Sequence, residues 1–91
     1  MTGEVVDNRD ANRFELRVEG RLSVATYERR NKTITFTHTI VPPALEGRGI
    51  GSRLVKTALE QARAEGLKVV PQCPFVQAFI ERHAEFQDLL A

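Results

Sequence analysis

Glycine occupies every second position from 47 to 51 in the segment EGRGIGS, which covers residues 46–52 and lies between a Pro-Pro pair and an amphipathic run. Glycine has no Cβ, so such a segment lets another group approach the backbone closely. At the start of a helix, several backbone N–H groups have no intrahelical acceptor, and the helix dipole is positive there. The chemistry that this segment predicts is therefore the binding of an anion such as a phosphate.

Two common phosphate motifs do not fit this segment. The P-loop requires GxxxxGK[ST], and the chain has no Gly-Lys pair. The dinucleotide fingerprint requires GxGxxG, whereas Gly47, Gly49 and Gly51 are followed by Ser52. A chain of 91 residues also hardly holds a doubly wound nucleotide domain. The remaining pattern is xxGxG, entering an amphipathic helix after Val-Pro-Pro.

Cys73 is the second candidate for chemistry. The sequence predicts it at the amino end of a helix whose first residue is Pro74. A thiol at that position ionises more readily than a free cysteine, whose pKa is about 8.5. Its sulfur would lie at the same edge of the sheet as the glycine segment. The alternative is that Cys73, the only cysteine of the chain, is a small buried apolar residue.

His38 is the third candidate. The alternation of residue types places it on one strand face with Ile34, Phe36 and Ile40. A histidine there is either a hydrogen-bonded core residue or a general base that takes a proton from an attacking amine. His83 lies near the end of the last predicted helix, and we interpret it as a partner of the helix dipole.

These candidates need elements to position them, and the first half of the chain predicts three antiparallel strands. Apolar and polar residues alternate in RFELRV (13–18), RLSVATYER (21–29) and KTITFTHTIV (32–41). In the second strand, Leu22, Val24 and Thr26 share one face. Residues 1–12 are polar, and we expect a flexible N-terminus there, followed by a single domain over residues 13–91.

The second half of the chain changes to a helical period. Apolar residues recur at helical spacing from Gly49 to Glu65, and Gly66 stands where a helix C′ glycine is expected. LKVVPQ (67–72) predicts a fourth strand, and CPFVQAFIERH (73–83) predicts a second helix. Four of its residues are predicted to face inward: Phe75, Val76, Phe79 and Ile80. The predicted fold is α+β: a three-stranded antiparallel meander, a βαβ crossover to a parallel strand, and a closing helix.

Composition narrows the class of protein. The 13 basic residues nearly balance the 12 acidic ones, which gives no sign of binding to nucleic acid or to a membrane surface. The N-terminus lacks the apolar core of a signal peptide, and no apolar stretch approaches the ~18 residues needed to span a bilayer. We therefore expect a soluble, cytoplasmic protein without a bound metal. We also expect a monomer, although the sequence leaves the oligomeric state open.

The segment VPPALEGRGIGSRLVKTALEQARAEGLKVVPQCPFV resembles the acyl-CoA-binding core of the GNAT superfamily, and in particular its short stand-alone N-acetyltransferase-like domains. The resemblance runs from about Thr37 to Leu90, and the first 36 residues match only in layout. The superfamily motif is Arg or Gln, two residues, Gly, one residue, then Gly or Ala. On this chain the motif begins at Glu46, which departs from it, and places its glycines at Gly49 and Gly51.

The resemblance implies that acetyl-CoA is the cofactor. The pyrophosphate would be held by a run of backbone N–H groups: those of Arg48, Gly49, Ile50, Gly51 and Ser52. The pantetheine arm would lie between the third and fourth strands, and N–H groups near Ile40 and Val41 would polarise the thioester carbonyl. Arg48 or Arg53 could pair with a phosphate, or each could be a solvated residue at a helix end.

The resemblance also bears on the two candidate catalytic residues. The related small domains carry a cysteine at the place of Cys73, which implies a role as covalent acetyl acceptor or as stabiliser of the departing thiolate. Many relatives have a glutamate where this chain has Ile40. That departure removes one candidate base and leaves His38.

Three hypotheses about function follow. The first is an acetyl-CoA-dependent N-acetyltransferase that acts on a small amine or a lysine side chain. The second is a non-catalytic acyl-CoA sensor or adaptor, because 91 residues leave little chain for an acceptor pocket. The third is a protein-interaction module in which the glycine segment is only structural.

Overall fold

The computed structural model describes residues 3–91, and in these residues one five-stranded sheet carries two α-helices. In chain order the elements are β1 (Val6–Asn8), β2 (Arg13–Val18), β3 (Arg21–Arg30), β4 (Thr33–Ile40), α1 (Ile50–Ala64), β5 (Lys68–Pro71) and α2 (Pro74–Arg82). Short 3₁₀ turns cover Arg9–Ala11, Pro43–Leu45 and Ala84–Leu89. The strands follow one another across the sheet in chain order. All neighbours are antiparallel except β4 and β5, which are parallel.

The meander, the crossover through α1 and the closing helix α2 confirm the α+β fold predicted from the sequence. The helix ends also agree with prediction. Gly66 follows the cap residue Glu65 with a left-handed φ of 70°, as a C′ glycine does. Pro74 is the first residue of α2, after Cys73 at the N-cap. None of the helices within residues 3–91 has the length and apolar character needed to cross a membrane.

The N-terminal segment differs from the prediction. We expected a flexible N-terminus over residues 1–12, but Val6–Asn8 forms an edge strand that pairs with β2. Met1 and Thr2, which belong to the same predicted segment, lie outside the described residues. The Tyr27 hydroxyl of β3 donates a hydrogen bond to the Asp7 carboxylate. Burial, followed by this bond, raises the pKa of Tyr27 to about 12.

An ion-pair network joins the N-terminal segment to the end of α1. Arg9 and Arg29 both donate to Oε1 of Glu65, at 2.9 and 2.7 Å. Gln61 donates to the other carboxylate oxygen at 2.7 Å. The bond from Gln61, and next the bond from Arg29, lower the pKa of Glu65 to about 2. The network therefore stays charged at any pH near neutrality, and it holds β1 and the turn after it against α1.

The core lies between one face of the sheet and the two helices. The strands contribute Phe14, Leu16, Val18, Ala25, Tyr27, Ile34, Phe36 and Val69 to a single buried cluster. The main helical contributors are Leu54, Val55, Ala58, Leu59, Val76, Phe79 and Ile80. On β3, Ala25 and Tyr27 supply this face. Leu22, Val24 and Thr26 share a face as predicted, but it is the opposite one.

A β-bulge in β4 changes which residues face the helices. Tyr27 pairs with Phe36, whereas the preceding residue Thr26 pairs with His38, so Thr37 is an extra residue on β4. An inserted residue reverses the alternation beyond it. The prediction that His38 and Ile40 share a face with Ile34 and Phe36 is therefore wrong. Thr39, which pairs with Ala25, lies on the helix-covered face instead.

Candidate functional site

A cleft opens where β4 and β5 separate. The two strands pair from Thr33 and Lys68 to Phe36 and Pro71. The N–H of Cys73 then donates to the carbonyl of Phe36 at 2.9 Å, and the chain turns into α2 while β4 continues to Ile40. The resulting cleft has a volume of about 360 Å³. Its described lining residues are Thr39, Val41, Leu45, Glu46, Gly47, Gly49, Ile50, Gly51, Ser52 and Phe75.

The glycine segment forms one wall of the cleft. Gly47 and Gly49 have positive φ angles of 82° and 72°, which side chains rarely allow. Gly49 is the N-cap of α1, and within residues 3–91 no side chain caps this end of the helix. The carbonyl of Gly49 accepts the N–H of Arg53 at 3.0 Å, the first bond of the α-helical pattern. The N–H groups of the residues between them are left without intrahelical acceptors, so the positive end of α1 opens into the cleft.

The third glycine has a different role from the first two. Gly51 has no positive φ angle, and a Cβ placed on it would lie 3.0 Å from Cζ of Phe75. Gly51 thus permits the close contact between α1 and the first turn of α2. Phe75 was predicted to face inward, but it is 42% exposed and lines the cleft. The sequence missed this aromatic wall because Phe75 falls at the edge of the apolar stripe of α2.

Arg48 lies within the glycine segment and Arg53 directly follows it, but neither side chain lines the cleft. The guanidinium of Arg48 donates to the Glu19 carboxylate at 2.7 Å, and this bond lowers the pKa of Glu19. The guanidinium of Arg53 donates to the carbonyl of Gly3 at 2.9 Å. Both side chains are exposed and bound to the N-terminal half of the chain. The positive potential that the cleft itself presents therefore comes from the helix end.

Cys73 lies one layer behind the cleft. It caps α2, as predicted, and its side chain is buried at 5% exposure. Its sulfur lies 3.4 Å from Oγ1 of Thr39, and Thr39 is a lining residue. The hydroxyl of Thr39 thus stands between the thiol and the cleft. The sequence did not single out Thr39, because only the bulge at Thr37 turns it toward the helices.

The remaining predicted residues are divided between the two faces of the sheet. Val41 is half-buried and lines the cleft. Ile40 is 56% exposed, and His38 is exposed on the face opposite the helices, so neither lines the cleft. His83 contacts the end of α2 as predicted, since its Nδ1 lies 2.7 Å from the carbonyl oxygen of Phe79. Within residues 3–91, no three His, Cys, Asp or Glu side chains are grouped as metal ligands.

A meander followed by a crossover, with a glycine segment at the splayed strand pair, defines the class of the protein. The chain belongs to the GCN5-related N-acetyltransferase family, whose model matches residues 13–89. Members of this family typically use acetyl-CoA.

Individual relatives agree with this assignment. The chain is 33% identical to Protein NATD1 of Xenopus tropicalis over 82 residues, which cover 87% of this chain and 75% of the relative. It is 34% identical to Protein NATD1 of Homo sapiens over 82 residues, which cover 87% of this chain and 73% of the relative. Among solved structures, a GCN5-like protein from Staphylococcus aureus is similar, with a TM-score of 0.75 and 31% identity. That match covers 97% of this chain and 87% of the solved one.

Proposed function

We propose that this protein is an acetyl-CoA-dependent N-acetyltransferase that transfers an acetyl group to an amine, either of a small molecule or of a lysine side chain. The observation that carries the proposal is the cleft itself. An uncapped helix N-terminus lies at one end of it, and at the other end lies the edge of β4 beyond its pairing with β5. The first feature suits an anion, and the second suits the polar arm of an extended ligand.

The residues of the cleft fit acetyl-CoA. The backbone N–H groups of Gly49 and of the first turn of α1, through Ser52, would hold the pyrophosphate. Val41 and Phe75 offer apolar surface to the pantetheine arm. N–H groups near Ile40 and Val41 would donate to the carbonyl oxygen of the acyl group. When bound, acetyl-CoA supplies an acetyl group activated as a thioester.

Cys73 and Thr39 support a role in handling the departing thiolate. The buried position of Cys73 disfavours direct attack by its sulfur, since a nucleophile has to reach the acyl carbon. The Thr39 hydroxyl lines the cleft and contacts the sulfur, so it can donate a hydrogen bond to a developing thiolate while Cys73 orients it. His38 can act as a base only for an amine that approaches from the face of the sheet opposite the helices.

A second candidate function is acyl-CoA binding without catalysis. Among the described residues that line the cleft, Glu46 carries the only ionisable side chain. His38 and Cys73, the two candidate catalytic residues, do not line it. A protein that senses or presents acyl-CoA needs the cleft but no base, which is what these lining residues provide.

Two measurements, made one after the other, test the proposal. Thermal denaturation with CoA and acetyl-CoA should show stabilisation, because a ligand at roughly 100 times its Kd raises the free energy of unfolding by about 2.7 kcal/mol. Release of free CoA from acetyl-CoA should then depend on an added amine. Binding without amine-dependent release supports the sensor, and absence of binding overturns both functions.

Variants at the two candidate residues separate their roles. If Thr39 and Cys73 stabilise the thiolate, Thr39→Val should lower kcat with little change in the Kd for CoA, and Cys73→Ser should retain more activity than Cys73→Ala. If Cys73 were the nucleophile, Cys73→Ser would lose nearly all activity and the wild-type protein would carry an acetylated cysteine during turnover. His38→Gln should flatten the pH profile of kcat/KM if His38 is the base.

A further inference from the structure

A second, smaller cavity adjoins the cleft on the far side of Phe75. Its volume is about 80 Å³, and its described lining residues are Ser52, Phe75, Ala78, Phe79, Arg82 and His83. Ser52 and Phe75 also line the cleft, so the two spaces share a wall. We refer to this space as the Arg82 cavity. It lies between the first turn of α1 and the outer side of α2, beside the proposed pyrophosphate site.

The charges around the Arg82 cavity favour an anion. Arg82 is exposed, and within residues 3–91 no carboxylate lies within salt-bridge distance of it. By contrast, Arg48 is paired with Glu19 and Arg63 with Asp88. None of the described lining residues of the cavity is acidic. Arg82 thus places a positive charge at a concave surface, and no carboxylate of the described residues neutralises that charge.

The two polar neighbours of Arg82 can add hydrogen bonds. The ring of His83 is stacked on Phe79 with the ring centroids 3.9 Å apart, which fixes its orientation. Its Nδ1 contacts the carbonyl of Phe79, which can only accept, so Nδ1 carries the hydrogen and Nε2 is available to another partner. Ser52 contributes a hydroxyl from α1. Guanidinium, imidazole and hydroxyl together form a donor set suited to a phosphate.

The size of the Arg82 cavity limits what can enter it. A volume of 80 Å³ corresponds to the space of about three water molecules in the liquid. A compact tetrahedral anion such as a phosphate group fits such a space. The cavity is partly open to solvent, so it can hold this group while the rest of a larger ligand stays outside it.

We propose that the Arg82 cavity binds the 3′-phosphate of the nucleotide part of CoA. The proposal rests on the proposed function, because it requires CoA in the adjoining cleft. The 3′-phosphate is attached to the ribose next to the pyrophosphate, and Ser52 connects the two sites in the protein. The consequence is selectivity: the protein prefers CoA over carriers that have the pantetheine arm and pyrophosphate but lack this phosphate.

The test compares the binding of CoA with that of 3′-dephospho-CoA by calorimetry. The wild-type protein should bind CoA about tenfold more tightly, the low end of what a hydrogen bond to a charged group contributes. Arg82→Gln should lose most of this preference by weakening CoA while leaving 3′-dephospho-CoA unchanged. Arg30→Gln is the matched control: it removes the same charge from an exposed arginine at the end of β3 and should keep the preference.

A steric variant tests the same site without changing charge. Ala78→Leu fills part of the cavity from a helical position and should reduce the preference for CoA, with a far-ultraviolet spectrum like that of the wild type. Equal binding of the two ligands by the wild-type protein, or equal weakening of both by Arg82→Gln, overturns the proposal for the Arg82 cavity alone. Binding of neither ligand overturns the proposed function and this proposal with it.

Discussion

A Cβ atom on Gly51 would lie 3.0 Å from Cζ of Phe75, so the third glycine of the EGRGIGS segment is matched to an aromatic ring and not to a tight turn. The ring is 42% exposed and can move, whereas the helix backbone cannot. We expect Gly51→Ala to change the free energy of unfolding by no more than about 1 kcal/mol, because the higher helix propensity of alanine offsets the crowding.

The displaced ring should nevertheless affect ligand binding. Gly51→Ala displaces the ring of Phe75, which lines the cleft, and should weaken CoA binding several-fold. Phe75→Leu in the same background removes the crowding ring and should recover part of the loss, which a double-mutant cycle measures as a coupling between the two sites. Purely additive effects of the two substitutions would mean that Phe75 does not transmit the change.

Gly49 and Gly66 provide a matched pair for the glycine segment. Gly49 is the N-cap of α1 and Gly66 follows its C-cap, with φ angles of 72° and 70°, and a Cβ on either would have no atom of residues 3–91 within 4 Å. Alanine at either position should therefore destabilise the protein by about 1 kcal/mol through its left-handed backbone. Only Gly49→Ala should also lose CoA binding, because its Cβ would stand at the mouth of the helix end. Equal CoA binding by the two variants would contradict the phosphate site.

Tyr27 gives a pH-dependent prediction that reports on one residue. The chain has one tyrosine and no tryptophan, so tyrosinate absorbance follows Tyr27 alone. Its pKa is raised to about 12, so the stability that it contributes is present below the unfolded value of about 10 and is lost between pH 10 and 12. The titration midpoint should lie near 12 in the native protein and near 10 in denaturant. Asp7→Asn should lower the native midpoint, since it removes the charged acceptor.

The bulge in β4 shows where a sequence prediction of this site fails. Periodicity located the strand correctly, and Ile34 and Phe36 are in the core as expected. One extra residue at Thr37 then reversed the faces, which moved His38 away from the helices and brought Thr39 to the cleft. A bulge at a threonine cannot be recognised from the sequence, because threonine is also common in regular strands. The insertion is defined only by the pairing of β4 with β3. Alternation alone therefore assigned the wrong residue to the site.

Long-range polar contacts account for the other differences. β1 is three residues long and has little apolar surface, so local propensity could not predict it. Its position depends on two side-chain hydrogen bonds. One joins Tyr27 to Asp7, 20 positions apart in sequence, and the other joins Arg9 to Glu65, 56 positions apart. Likewise, the pairing of Arg48 with Glu19 joins residues far apart in sequence. By contrast, Gly66 after α1 and Pro74 at the start of α2 act on the helix ends next to them in sequence, and both were predicted correctly.

Glu46 offers the sharpest test of how the cofactor is placed. It stands where the superfamily motif has Arg or Gln, and it is an exposed lining residue of the cleft. A carboxylate beside a bound pyrophosphate repels it, because both groups are negatively charged. Near a protein surface in salt, this repulsion weakens binding by about 1 kcal/mol. The dipole of α1 and its N–H groups attract the pyrophosphate, so CoA should still bind. Its affinity should be lower than it would be without the carboxylate of Glu46.

Glu46→Gln should therefore tighten CoA by roughly fivefold, which corresponds to that repulsion. Glu46→Arg should tighten it further, and both gains should shrink as ionic strength rises because the charges are exposed to solvent. Glu60→Gln is the matched control, since it removes the same charge from the exposed side of α1 outside the cleft and should leave CoA affinity unchanged. Titrations at low and high salt measure all four proteins. Equal affinities would show that Glu46 turns away from the phosphates, and weaker binding by Glu46→Arg would show that the pyrophosphate does not lie at the start of α1.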